Sequence, residues 1–140
     1  MNKEELKSLI PNREPMLLVD EVNVIGDNLV KGSYLVKGDE FFLQGHFPGN
    51  PIVPGVILCE IMAQSSCLLM VKELEKSNPF YAGIDKVRFK KNVRPGDKIE
   101  IYSRVTNKKA MIICVHAEAK VNGELCVSGD LAFALINKSN

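Results

Sequence analysis

Residues 45–64 read GHFPGNPIVPGVILCEIMAQ. Gly45, Pro48, Gly49, Pro51 and Pro54 stiffen a loop that carries His46. An apolar run follows and continues to Val71, interrupted by Glu60, Gln64, Ser65 and Ser66. The run predicts one helix over residues 55–76, about 33 Å long at about 1.5 Å per residue. Its first four turns are apolar nearly all round, which marks a buried helix rather than one lying on a surface. The run approaches membrane-spanning length, but its polar interruptions point to a core helix. Its tail, KELEK, returns to water, and Asn78-Pro79 ends it.

The rest of the chain is read against that helix. Residues 3–9 form a short amphipathic helix stopped by Pro11. Residues 16–25 and 29–37 are branched, apolar strands joined at Gly26-Asp27-Asn28, a turn. The loop 38–54 leads into the long helix. Only strands follow it, over 80–90, 97–106, 110–121 and 124–136. Val93-Arg94-Pro95-Gly96 joins the first two. Ile99, Ile101 and Val105 alternate with Lys98, Glu100 and Arg104, the period of a half-buried strand. Ile113, Val115, Ala117, Ala119 and Val121 share one face of the next. Asn122-Gly123 predicts a tight hairpin, because a type I′ turn needs positive φ at both positions. Leu125, Val127, Leu131, Phe133 and Leu135 face the core in the last. A hairpin, a buried helix and an antiparallel meander make an α+β domain over residues 1–140, a curved sheet wrapped around a central helix. One curved sheet covers only part of an all-round apolar helix, so a second copy of the chain is expected to cover the rest.

Composition is that of a soluble globular protein, with 46% hydrophobic and 25% charged residues and a net charge of +1. That balance gives no argument for nucleic acid or a membrane as partner. Charge is concentrated locally. Between Lys86 and Lys109, nine basic residues, among them Arg88, Lys90, Lys91 and Arg94, face only Asp97 and Glu100. This excess is either a solvated strand face or a patch for an acidic partner. MNKEELKSL is too charged for a signal peptide, so a cytoplasmic location is expected. Cys59, Cys67, Cys114 and Cys126 show no metal or CxxC spacing and read as reduced, mostly buried thiols.

The residues able to do chemistry are few. His46 either caps a turn or serves as a positioned acid or base, and the rigid loop suits the second. Glu60, flanked by Val56, Ile57, Leu58, Ile61 and Met62, suffers desolvation. Unpaired, it would favour the neutral acid. Its alternative is a salt bridge at the surface. Gln64, one turn on, either holds Glu60 or a bound water, or is a plain core hydrogen-bonding residue. Gly55 and Val56 start the helix, where N–H groups lack partners and can receive an oxygen that gains negative charge. Cys59 has no histidine placed to activate it, His116 reads as structural, and the two histidines make no metal spacing.

These residues lie in a chain that resembles the 3-hydroxyacyl-(acyl carrier protein) dehydratases of bacterial type II fatty acid synthesis, which have the hot-dog fold. The resemblance rests on RxPMLLVDEV at 13–22, GHFPGNPIVPGV at 45–56, EIMAQ at 60–64, GIDKVRFKKNVRPGD at 83–97 and the final meander. It implies that His46 takes a proton from C2 of the substrate and that Glu60 protonates the leaving C3 hydroxyl. Gly55, with Val56 beside it, would bind the thioester carbonyl. Gln64 corresponds to the family's helix glutamine, Phe89 to a wall of the acyl tunnel and Phe80 to a gating aromatic. It also implies acyl carrier protein as partner, docking on the basic stretch, and no metal or redox cofactor. The expected assembly is a homodimer or a trimer of dimers, with His46 of one subunit facing Glu60 of the other. Glu60, where related dehydratase-isomerases carry Asp, favours dehydration without isomerisation. Asn12 stands where the family has a histidine and Glu14 replaces an aromatic or small residue, in a segment expected to lie away from the chemistry. A thioesterase using Glu60 to activate water and a non-catalytic acyl-binding module are the alternatives.

Overall fold

The computed structural model describes residues 1–138. Among these, the chain runs α1 (Lys3–Leu6), β1 (Glu21–Gly26), β2 (Leu29–Leu35), α2 (Gly55–Ser65), α3 (Val71–Leu74), β3 (Ser77–Phe89), β4 (Lys98–Lys109), β5 (Ile112–Val121) and β6 (Glu124–Asn137). The strands form one antiparallel sheet in the order β1-β2-β4-β5-β6-β3. Helix α2 lies on one face, touching β2, β4, β5 and β6. Leu58, Ile61 and Met62 are buried there with Ile99, Ile101, Ile113, Val115 and Leu131. This is the expected α+β architecture.

The long helix is not continuous. After Ser65 the chain tightens into a 3-10 turn over Cys67–Met70 and resumes as α3, with a 45° bend between the two parts. The serines cause the break. Ser66 Oγ donates to the Met62 carbonyl at 2.9 Å and meets Ser103 Oγ at 2.7 Å. A hydroxyl bonded back by one turn bends a helix. Ser65 needs a close approach as well. A Cβ on Gly32 of β2 would fall 2.5 Å from Ser65 Oγ, so only glycine lets β2 run beneath the helix there. No single helix among the described residues is long and apolar enough to cross a membrane.

Three further boundaries differ from the sequence reading. Helix α1 is a single turn, held by a capping box between Asn2 and Glu5. Strand β1 begins at Glu21, not residue 16. Leu18 gives its N–H to the Gln64 side chain at 2.7 Å, so this stretch is bonded to the helix rather than to a strand. Strand β3 begins at Ser77 and contains Pro79. It is an edge strand, where a missing N–H is tolerated.

The larger correction is one of order. β3 is not hydrogen-bonded to β4. It sits at the far edge, paired with β6, and the chain crosses β6 and β5 to reach β4. The meander is therefore β4-β5-β6. Its core positions match the period-2 reading apart from Val105, Val121 and Leu125, which are half-buried. A register shift between Ala119 and Lys120 puts Cys126 and Val127 inside together and leaves Leu125 at the rim. Asn122 and Gly123 both have positive φ, 52° and 80°, as the hairpin requires. Asn28, at φ 53°, clasps Val105 of β4 through its side-chain amide, which donates to the carbonyl and accepts from the N–H, each at 2.9 Å.

Candidate active site

The loop that carries His46 is anchored at its start. The Glu40 carboxylate accepts from the N–H groups of Lys37 and Gly38 and from the Tyr34 hydroxyl, at 2.8 to 2.9 Å. Burial pushes the Glu40 carboxyl up, but the backbone N–H groups and the tyrosine outweigh it and hold the carboxyl below its usual value. A depressed carboxyl contributes stability that is full above the unfolded value of about 4.3 and is lost as pH falls through the folded one. Glu40→Gln is therefore expected to lower the melting temperature at pH 7. The gap to the parent protein should begin to narrow as pH falls below about 4.3 and close only below the parent's own depressed value, where its carboxyl is protonated too. Melting curves of both proteins across that range check this.

Farther along, Gly45, Phe47 and Gly49 take positive φ, and the turn Phe47–Asn50 closes with a 2.9 Å bond. His46 is half-buried in this loop, and its Nδ1 lies 2.9 Å from the Ile52 carbonyl. A carbonyl can only accept, so Nδ1 carries the hydrogen and Nε2 is left as the basic nitrogen. The ring borders a cavity of about 260 Å³ together with Gly55, Leu58, Phe89 and Lys91. Helix α2 starts there without a side-chain cap, so the N–H groups of Gly55 and Val56 stay available at its positive end. The Phe89 ring lies so close that a Cβ on Gly55 would sit 2.8 Å from it.

Glu60 opens onto a different cavity, of about 360 Å³, walled by Gln64, Cys67, Met70, Phe80, Tyr81 and Phe133. The carboxylate is half-buried and not unpaired. Gln64 Nε2 donates to one oxygen at 2.8 Å and the Tyr81 hydroxyl to the other at 2.9 Å. Gln64, 4% exposed, has every polar atom engaged. It also donates to the Met16 carbonyl at 2.8 Å and accepts from Leu18 N–H. Of the two readings of Gln64, holding Glu60 and bonding within the core, the structure shows both at once.

Within one chain, then, His46, Gly55 and Phe89 stand together, and Glu60, Gln64 and Phe80 stand together, in separate cavities. Val56 is 77% exposed at the start of α2. The segment with the family's missing histidine is closer than expected, since Asn12 lines the Glu60 cavity beside Ile10 and Pro11. Arg88, Lys90, Lys91 and Arg94 are all exposed. Lys91 pairs with Glu124 at 2.8 Å, and Arg94 donates to Asn50. Burial raises the Cys59 thiol, helped by the Glu60 charge, and burial pushes Cys67 up to about 12, so neither is an active nucleophile. Tyr81 is the site residue that sequence reading missed. Its signal was only a tyrosine next to Phe80 in a strand.

Residues 10–130 match the FabA-like domain family. A 3-hydroxyacyl-(acyl-carrier-protein) dehydratase FabZ of Clostridium perfringens is 40% identical over 137 residues, covering 96% of this chain and 99% of the relative. A protein of the same name from Caldicellulosiruptor saccharolyticus is 45% identical over 130 residues, covering 91% and 93%. Among solved structures, the dehydratase heterocomplex ApeI:P of Xenorhabdus doucetiae superposes with a TM-score of 0.77 at 23% identity, over 96% of this chain and 92% of that one. A mutant thioesterase of Pseudomonas aeruginosa superposes at 0.70 and 12% identity, over 98% and 95%. Those two likenesses establish the hot-dog fold.

Proposed function

The chain belongs to the FabA-like family, and on that premise we propose that it is a hydro-lyase of fatty acid biosynthesis. It removes water from a (3R)-3-hydroxyacyl thioester on acyl carrier protein and leaves the trans-2-enoyl thioester. The observation that carries this reading is the near-full-length likeness to the dehydratase relatives, since the family match runs through both the His46 loop and the Glu60 helix.

The roles follow from the chemistry. A thioester carbonyl acidifies C2, and the basic Nε2 of His46 takes that proton. The carbonyl oxygen gains negative charge and is received by the Gly55 N–H at the start of α2, with Val56 beside it. Hydroxide leaves poorly, so Glu60 protonates the C3 hydroxyl as the C3–O bond breaks and the C2–C3 double bond forms. Phe80 walls the apolar cavity beside Glu60, where the acyl chain lies, and Phe89 walls its approach beside His46. His46 then gives up its proton and Glu60 regains one through solvent, closing the cycle with no net change in the protein.

One chain does not offer both groups to one substrate, and a homodimer resolves this. Among the described residues β3 pairs with β6 alone. Along it Phe80, Ile84 and Phe89 are each at least half exposed. An open edge with apolar side chains is a place for a second copy. Packed there, it brings His46 of one copy to Glu60 of the other. The enzyme works in the cytoplasm.

Mass analysis of the intact carrier tests the reading. Incubation with 3-hydroxyacyl carrier should remove one water from it. Release of the unmodified carrier and a free acid would instead mean a thioesterase, and an unchanged bound carrier would mean a binding module. For docking, Arg88 and Lys90 have no ion-pair partner among the described residues. Lys90→Glu is expected to raise KM for the carrier-bound substrate several-fold at low salt, less at high salt, because exposed charges are screened over about 10 Å at 0.1 M. Turnover of a short uncharged thioester should stay as it was. Equal losses on both substrates would mean that Lys90 serves the fold instead.

A further inference from the structure

We propose that Tyr81 is a positioning residue for Glu60, its hydroxyl holding the carboxyl group in the one orientation from which it delivers its proton. This rests on the dehydratase reading above and adds a residue to it. The terminal torsion of a glutamate is soft, so one anchor leaves the carboxyl free to turn about its last bond. Gln64 is one anchor, on the same helix as Glu60. Tyr81 is a second on a different element, β3, and it reaches the other oxygen at 2.9 Å. Two donors from two directions fix the plane of the group. A carboxylate has about four lone-pair sites, so one on each oxygen stays open for the proton in transit.

The fold aims Tyr81 at this task. The β3–β6 register slips immediately after it, between Tyr81 and Gly83. The ladder is regular through Phe80 and Tyr81, and both neighbours line the Glu60 cavity. The Tyr81 ring rests against Phe133, its cross-strand partner, with centroids 5.8 Å apart. Another acceptor within reach, the Cys59 carbonyl, is farther away at 3.4 Å, so the hydrogen goes to the nearer Glu60 oxygen. Burial, then the charge and hydrogen bond of Glu60, push the phenol far above its usual range, so the hydroxyl remains a donor at any working pH. Phe80 and Phe133 already supply aromatic surface in this cavity, and the hydroxyl is what Tyr81 adds.

The test is Tyr81→Phe, which keeps the ring against Phe133, made in the parent enzyme and in Glu60→Gln. In the parent, kcat on the 3-hydroxyacyl carrier substrate should fall about tenfold, the scale of one hydrogen bond to a charged group. KM should stay unchanged, and the melting temperature should fall by only a few degrees, the scale of one lost hydrogen bond. In Glu60→Gln the same substitution should cost nothing further, because Tyr81 acts through that carboxyl. A structural lesion would cost the same in both backgrounds, and that result overturns the proposal. So does an undiminished kcat for Tyr81→Phe in an active parent, which leaves the dehydratase reading intact. A parent that yields no enoyl product overturns the reading and the proposal together.

Discussion

His46→Ala and Glu60→Gln are each expected to cut the rate of dehydration by about a hundredfold or more, the usual scale for losing a positioned acid or base. Neither should unfold the protein. His46 is half-buried in a loop, and its replacement gives up one hydrogen bond, to the Ile52 carbonyl, a loss of about 1 kcal/mol. Glutamine at position 60 keeps the size of the side chain and an oxygen for Tyr81 to bond, but has no proton to give. In the proposed mechanism the two groups act as a unit on one substrate. The double variant should therefore lose far less than the product of the single losses. Steady-state rates beside melting temperatures check this. A folded His46→Ala or Glu60→Gln protein with near-parental turnover would remove that residue from the mechanism.

Much of the candidate site was legible because it is local. His46, Gly55 and Glu60 lie within fifteen residues of one another, and glycine, proline and an apolar run announce a loop giving way to a buried helix. Asn122-Gly123 and the alternation in β5 were legible for the same reason, since turn chemistry and period are properties of neighbours. The position of β3 was not. The segment from Phe89 to Lys98 can join adjacent strands, or span the three strand spacings, about 14 Å at about 4.8 Å each, that the observed crossing needs. Both arrangements fit the same letters. Strand β3 also shows no clear period, because as an edge strand it leaves Phe80, Tyr81 and Ile84 exposed in turn.

The break in the long helix was hidden in a different way. Ser65 and Ser66 were read as polar interruptions of a core helix. What bends the chain is a pair of contacts with Gly32 and Ser103, residues distant in sequence. Tyr81 was missed for that reason too. Its carboxylate partner, Glu60, lies 21 residues away on another element, and only the folded chain brings the two within 2.9 Å. Asn12 shows the limit of reasoning by segment. Its segment is expected to lie away from the chemistry, yet Asn12 lines the Glu60 cavity, so its standing where the family has a histidine is expected to act on substrate fit.

The central claim is that one dehydration site is built from His46 of one copy and Glu60 of another. The separate cavities that the two residues line within a single chain are its motive. Subunit mixing tests it most directly. His46→Ala and Glu60→Gln proteins, each nearly inactive, are combined, unfolded and refolded together, and dehydration of the 3-hydroxyacyl carrier substrate is measured. A mixed dimer has one site with both groups intact and one with neither. With random pairing half of the dimers are mixed, so activity should rise from about a hundredth of parental to roughly a quarter, the share of intact sites when each is shared between two copies of a symmetric dimer. A mixture that stays as inactive as its components would show that each chain carries its own complete site, and the account would be wrong.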